Sequence, residues 1–133
     1  MKNIVKIDEI PWLVSPPPEK PPRRIKFLIG NDAVGSENVA LLLVMFEPGV
    51  KSSLHSHRKS ETMWFILSGK AHVRLGDETF EVGPRNVVYI PKGAKHKIEN
   101  ADTENLEFIE FISPPFTRAD STFGLEDIKQ WRG

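Results

Sequence analysis

The chain has 133 residues, which suits a single domain large enough to bury a hydrophobic core without covalent staples. It has no cysteine, which excludes disulfides, iron–sulfur clusters and thiol nucleophiles and leaves histidine, carboxylates and water as metal ligands. Lysine plus arginine and aspartate plus glutamate number 18 each, so no overall field favours nucleic acid or an anionic membrane as a partner.

Hydropathy and composition also bear on where the protein works. No apolar run approaches the roughly 18 residues of a transmembrane helix, and residues 1–15 are too charged for a signal peptide. We therefore expect a cytoplasmic protein without membrane or nucleic-acid partners. The missing cysteine, the single glutamine and the many lysines and glutamates are compatible with a thermophilic source.

The first 35 residues are predicted to form a short strand followed by a proline-rich arm. The apolar residues Ile4, Val5 and Ile7 predict an edge strand. Six of the twelve residues in 11–22 are proline, which excludes a helix or a central strand and favours an extended segment. We expect residues 1–35 to pack on the rest of the domain or on a partner subunit.

The next part of the chain is a series of short apolar segments separated by turn residues. In chain order these segments are 24–29, 39–46, 62–67, 71–75, 79–82, 86–90, 96–100 and 106–112. Their close, regular spacing predicts an all-β sandwich or barrel. Residues 36–115 are expected to form the barrel, and residues 116–133 a tail with a short helix at 125–131.

Two of the four histidines lie in the stretch HSHRKSE at residues 55–61. On an extended strand, His55 and His57 point to the same face with Cα atoms about 6.6–6.8 Å apart, so both imidazoles can converge on one ion. Glu61 follows at an even offset and can return to that face or its neighbour. Taken alone, the stretch is more often a solvated polar turn than a metal site.

A second cluster changes that interpretation. Residues 91–100 read PKGAKHKIEN and place His96 at the start of a strand, just after a Pro-x-Gly turn. The two segments together read G-x5-H-x-H-x3-E at 49–61 and P-x-G-x2-H-x3-N at 91–100. This pair of patterns resembles the two sequence motifs of the cupin family, and it spans about half of the chain.

The resemblance implies a jelly-roll β-barrel, also called a double-stranded β-helix, built of two packed sheets. It implies further that His55, His57, Glu61 and His96 bind one divalent transition metal inside the barrel. Three imidazoles and one carboxylate suit Fe, Mn, Ni, Co or Zn and leave one or two positions for water or substrate. No organic cofactor is expected.

The position of Glu61 departs from the family pattern. The family's glutamate usually precedes the next glycine by six residues, whereas seven residues separate Glu61 from Gly69. Counting back from Gly69 puts Thr62 in the ligand position, and one inserted residue reverses the facing of a strand unless a β-bulge absorbs it. Two alternatives stand: a bulge or altered turn that keeps Glu61 as a ligand, which we favour, and a three-histidine site with Glu61 turned away.

Three further residues are candidates for catalysis. Tyr89 either acts as a general acid in the pocket or packs as an aromatic side chain. Lys95 belongs either to a positive rim that attracts anions or to a solvated turn. Glu110 faces either solvent or the cavity, where a buried carboxyl needs a partner or a raised pKa. Arg23 and Arg24, after the proline-rich arm, form either a solvated pair or a clamp for a carboxylate.

We expect a metal-dependent, single-domain cupin enzyme that acts on a small, oxygen-rich, anionic metabolite bound at the metal. Family analogy allows a dioxygenase, a decarboxylase or an isomerase. The alternative is a non-catalytic module that binds a sugar or another small ligand beside a metal. Because segment 39–46 is apolar on both faces, a second subunit is expected to cover one of them, which predicts a homodimer.

Overall fold

The computed structural model describes residues 3–30, 34–117, 125–128 and 131–132. The strands of these residues are β1 (Leu13–Val14), β2 (Arg24–Ile29), β3 (Ala40–Phe46), β4 (Glu61–Ser68), β5 (Ala71–Leu75), β6 (Glu78–Val82), β7 (Val87–Ile90), β8 (His96–Glu99) and β9 (Leu106–Ser113). The helical segments are a 3-10 turn at Ile7–Glu9 and a short helix, α1, at Leu125–Ile128. The predicted helix is thus present, while residues 129–130 of its predicted range lie outside the described residues.

The strands form two antiparallel sheets. The larger has the order β1-β2-β3-β9-β4-β7 and the smaller the order β6-β5-β8. Strands β3 and β4 are consecutive in sequence, but β9 lies between them in the larger sheet. The long connection from β3 to β4 crosses to the smaller sheet, where it forms isolated bridges with β8. This nearly all-β arrangement confirms the predicted fold class.

The core lies between the inward faces of the sheets. Strand β4 alternates strictly in its first six residues: Thr62, Trp64 and Ile66 are buried and the residues between them are exposed. Such alternation marks a strand with one face on the core and one face open. Strand β3 is mostly buried on both faces within the single chain, so a second subunit is not needed to cover segment 39–46, although Leu41 and Met45 remain partly exposed.

The N-terminal segment differs from its prediction. No strand forms at residues 4–7, and Ile7–Glu9 is a 3-10 turn whose Ile7 carbonyl accepts a hydrogen bond from Nζ of Lys26 at 2.9 Å. The strand of this region, β1, lies inside the proline-rich segment instead. It pairs with β2 alone among the described strands, at the edge of the sheet, which is where neighbouring prolines are tolerated.

Asn100 ties the ends of the two motif segments together. Its side chain is fully buried, and Nδ2 donates to the carbonyls of Phe46 at 2.9 Å and Glu104 at 2.8 Å. Its backbone N–H donates to the carbonyl of Val50, and its carbonyl accepts from the N–H of Gly49, both at 2.9 Å. These bonds place the segment that carries the first two histidines beside β8. Among the described residues, no helix has the length and hydropathy needed to cross a membrane.

Candidate metal centre

Backbone pairing between the two motif segments brings the three histidines together. The N–H of His55 donates to the carbonyl of His96 at 3.0 Å, and the N–H of His96 donates back to the carbonyl of His55 at 2.8 Å. The N–H of Gly93, in the Pro-x-Gly turn, donates to the carbonyl of His57 at 2.7 Å. Gly93 has a φ of 82°, a conformation that favours glycine, which explains why the Pro-x-Gly turn of the motif carries a glycine at this position.

The side chains of these histidines converge. The ring centroids of His55 and His57 lie 5.0 Å apart, those of His55 and His96 4.2 Å, and those of His57 and His96 5.4 Å. One candidate ligand nitrogen from each ring falls within 4.8 Å of the other two. His96 therefore meets His57 and His55, which lie 39 and 41 positions earlier in the sequence, in one potential metal site.

Backbone carbonyls set the tautomers of two of the rings. Nδ1 of His55 lies 2.7 Å from the carbonyl oxygen of Ser53, and Nδ1 of His96 lies 2.9 Å from that of Ala94. Because a carbonyl oxygen only accepts hydrogen bonds, each Nδ1 carries the proton and each Nε2 keeps its lone pair. Metal-ligating histidines are commonly oriented by this kind of second hydrogen bond.

The environment keeps all three imidazoles neutral. Burial, together with the nearby rings of His55 and His96, lowers the pKa of His57 to about 3. Burial also lowers the pKa of His96 to about 4, although the hydrogen bond to Ala94 favours the protonated form. The pKa of His55 is lowered as well, again by burial first. Neutral imidazole is the form that binds a metal, so no proton has to leave first at neutral pH.

His57 supplies a further test of the fit to a metal. Its ring stacks on Phe116, with centroids 4.1 Å apart and planes 18° apart. Its Nδ1 is buried and, within the described part of the chain, has no hydrogen-bond partner. A buried nitrogen without a partner is costly, and ligation removes that cost. The three nitrogen donors therefore fit a divalent transition metal of the kind that imidazole prefers, such as Zn, Cu, Fe or Ni.

Glu61 does not join this group. It lies on the exposed face of β4, where its carboxylate accepts a hydrogen bond from the hydroxyl of Tyr89 at 2.5 Å. The neighbouring Thr62 is the residue that faces inward, with 1% of its surface exposed. The register of β4 with β9 does shift, but between Ile66 and Ser68, so Glu61 still faces outward and Thr62 inward at the start of the strand. This placement matches the three-histidine alternative.

A cavity of about 70 Å³ adjoins the histidines. His55 forms part of its wall, and the other polar residues of the wall are Arg23, Ser52 and Glu110. Nε1 of Trp64 donates to Oε2 of Glu110 at 3.0 Å, since the two residues are directly opposite on β4 and β9. Burial raises the pKa of Glu110, against this hydrogen bond and the charge of Arg23, which both favour the carboxylate.

The other catalytic candidates lie elsewhere. Tyr89 is on the outer face of the larger sheet, and its hydrogen bond to Glu61 raises the pKa of its hydroxyl. Lys95 is exposed in the turn before His96 and is not among the residues that line the cavity. Of the three candidates, the structure brings Glu110 alone next to the histidines.

Two residues of the site were missed by the sequence reasoning. Trp64 lies in the apolar segment 62–67, whose sequence does not show which residues face the core; the structure turns Trp64 inward together with Thr62 and Ile66. Its pairing with Glu110 needed the register of β4 with β9, which the sequence does not contain. Phe116 follows the last strand and carries no pattern, so nothing in the sequence pointed to its stacking on His57.

The family model for the cupin domain matches residues 42–112, more than half of the chain. The chain belongs to the cupin family. This cupin is 37% identical over 73 residues to an uncharacterized protein of Methanocaldococcus jannaschii, a match that covers 55% of this chain and 58% of that protein. It is 36% identical over 77 residues to mannose-1-phosphate guanylyltransferase 2 of Escherichia coli O157:H7, covering 58% of this chain and 16% of the enzyme. The matches thus span less than two thirds of either relative.

A solved structure has the same fold. This cupin matches a predicted oxalate decarboxylase from Thermotoga maritima with a TM-score of 0.75 and 21% sequence identity, over 84% of this chain and 98% of the other. Similarity at this level of identity concerns the fold alone, and it confirms the predicted jelly roll.

Proposed function

We propose that this cupin binds one divalent transition metal through His55, His57 and His96 and acts on a small, oxygen-rich, anionic molecule in the adjoining cavity. The observation that carries the proposal is the convergence of three neutral imidazoles, with candidate ligand atoms within 4.8 Å of one another, beside a cavity that holds a carboxyl group. The relative from E. coli is named for a sugar phosphate, which is a ligand of this chemical class.

A bound divalent metal supplies a Lewis acid that polarises an oxygen of the ligand. The residues of the chain supply the rest. The carbonyls of Ser53 and Ala94 orient two of the imidazoles, and the rings of Phe116 and Trp64 shield His57 and His96 from water.

Glu110 is the group in the cavity wall that can exchange a proton with the ligand. Burial raises the pKa of this carboxyl, which favours its protonated form as a proton donor. Decarboxylation and isomerisation both need a proton delivered or removed at one position, and Glu110 is placed to do this. We therefore place the activity among decarboxylases or isomerases ahead of dioxygenases.

A non-catalytic binding module is the second candidate, and the composition of the cavity wall favours it. Most of the wall is apolar, formed by Ile25, Val44, Phe46, Trp64, Ile98, Phe108, Phe116 and Ile128. Turnover separates the two candidates. Assays for carbon dioxide release and for isomer formation with small oxo-acids and sugar phosphates detect the enzyme, and binding of the same compounds without turnover identifies the module.

Elemental analysis tests the metal proposal directly. Protein purified without added metal is expected to contain close to one equivalent of a divalent transition metal. The Glu61→Gln variant is expected to retain the same content, because this carboxylate bonds to Tyr89 on the outer face. Wild-type protein without stoichiometric metal would contradict the proposal. Loss of metal in Glu61→Gln alone would instead restore Glu61 as a ligand.

We also propose that a second copy of the chain covers the open face of the larger sheet. Met63, Phe65 and Leu67 of β4 and Val87 and Tyr89 of the adjacent β7 are between 39% and 59% exposed. They form one continuous apolar patch, because β4 and β7 pair directly. Apolar patches of this kind on a sheet face mark protein–protein contacts in soluble proteins.

Light scattering during size-exclusion chromatography is expected to give twice the 15.1 kDa mass of the chain. Phe65→Glu, in the middle of the patch, is expected to convert the dimer to a monomer, since it buries an unpaired charge in the interface. Phe80→Glu is the matched control, because Phe80 is 45% exposed but lies on β6 of the smaller sheet. A wild-type monomer, or equal dissociation in both variants, would contradict the proposed interface.

A further inference from the structure

Of the two consecutive arginines Arg23 and Arg24, Arg23 lines the cavity. It immediately precedes β2 and shares the facing of Ile25 and Phe27, which are buried in the core. Arg23 and Ile25 both line the cavity, together with His55 and Glu110. Arg24, one residue further on, has the opposite facing on the pleated strand. Among the described residues that line the cavity, Arg23 is the one lysine or arginine.

The guanidinium of Arg23 already binds a carboxylate of the same chain. Nε lies 2.5 Å from Oε1 of Glu19, and Nη2 lies 3.3 Å from Oε2. The guanidinium also lies over the ring of Trp131, 5.2 Å from its centroid. The backbone N–H of Arg23 donates to Oγ of Ser15 at 2.8 Å. The proline-rich arm and the C-terminal segment together hold this arginine at the cavity.

We propose that Arg23 binds the carboxylate of the ligand in this cavity, and that Glu19 is a built-in competitor which the ligand's carboxylate displaces. The inference deepens the proposed function, on which it rests, by naming the anionic group and the residue that recognises it. A planar carboxylate matches the two parallel N–H donors of an arginine, and Glu19 uses that arrangement now.

The exchange is physically reasonable because the existing pair is weak. The side chains of Arg23 and Glu19 are 24% and 35% exposed, and ion pairs that water reaches contribute little to stability. A ligand carboxylate inside the cavity is less exposed to water than Glu19, so its attraction to Arg23 is screened less. The apolar walls formed by Ile25, Val44 and Phe108 strengthen this effect.

Malonate is a suitable probe, and its affinity can be measured by isothermal titration calorimetry on metal-free and zinc-loaded full-length protein. We expect Arg23→Gln to weaken malonate binding about tenfold or more, since it removes a charge-assisted pair. Arg24→Gln is the matched control, with the same charge change on the opposite facing, and is expected to change the affinity less than about twofold. Glu19→Gln is expected to tighten binding about threefold or more, because the competing charge is gone.

Several results would overturn the inference. They are a wild type that binds no malonate in either form, an Arg23→Gln variant that binds like wild type, and a Glu19→Gln variant that binds more weakly. Arg23→Lys keeps the charge but not the paired donors, and its affinity for malonate should lie between those of wild type and Arg23→Gln. It replaces Arg23→Gln in the comparison if that variant folds poorly. Zinc content measured on the same samples separates the two proposals. A zinc-loaded sample that retains no zinc contradicts the metal site, whereas malonate binding that depends on Arg23 in the metal-free protein still supports the inference.

Discussion

Replacing His55 by alanine is expected to lower the affinity for zinc about 100-fold or more, because the site loses one of its three nitrogen donors. His55 is the least buried of the three, so its removal disturbs the core least. Competition with a fluorescent chelator measures the affinity. Thermal or urea unfolding gives a second readout, since zinc at 100 times its dissociation constant stabilises the folded wild type by about 2.7 kcal/mol.

His72→Ala is the matched control for this experiment. His72 is the fourth histidine, and it is exposed on β5 with Nε2 lying 3.7 Å from Oε2 of Glu81. We expect the His72 variant to bind zinc as wild type does and to show the same stabilisation. If His55→Ala keeps the wild-type affinity, or if both variants lose it equally, the three histidines are not the metal site.

Replacing Gly69 by alanine is expected to destabilise the fold by about 3 kcal/mol or more, through two separate costs. Gly69 has a φ of 81°, which L-residues other than glycine rarely adopt. A Cβ at this position would clash with the carbonyl oxygen of Asn105 and would lie 2.9 Å from Cα of Leu106. Both are backbone atoms on the approach to β9, so they cannot rotate away.

Gly76→Ala separates the two costs. Gly76 also has a positive φ, 61°, but a Cβ there meets nothing within 4 Å. The variant should therefore lose only the backbone preference of glycine, about 1 kcal/mol. Urea denaturation of both variants and wild type measures the difference. Equal losses would show that the close approach to Asn105 relaxes without cost.

Much of the fold was predictable from local patterns. The eight predicted segments between residues 24 and 112 each correspond to a strand, β2 to β9, with ends that differ by at most one residue. Apolar runs, alternation and turn residues carry this information, because most of these strands place at least one face on the core. The proline-rich arm was harder: its two-residue strand β1 exists through pairing with β2, which is a tertiary contact rather than a local preference.

The candidate site was predictable to the level of the histidines. His55, His57 and His96 meet as their two motifs suggested. The placement of Glu61 was left open by the sequence, because counting back from Gly69 pointed to Thr62 whereas a bulge would have kept Glu61 as a ligand; the structure shows that Thr62 faces inward. Arg23 was recognised as a possible carboxylate clamp, but its distance to Glu19 and its place in the cavity wall depend on how the arm folds back.

The outward position of Glu61 has a consequence for the charge of the loaded site. A divalent ion held by three uncharged imidazoles keeps its formal charge of about +2, whereas a carboxylate donor would reduce it to about +1. With Thr62 facing inward in place of Glu61, the chain contributes no compensating anion from β4. With the proposed metal bound, an anionic ligand would supply part of the missing negative charge. Under the proposed metal site, the facing of β4 would therefore favour anions over neutral analogues of the same shape.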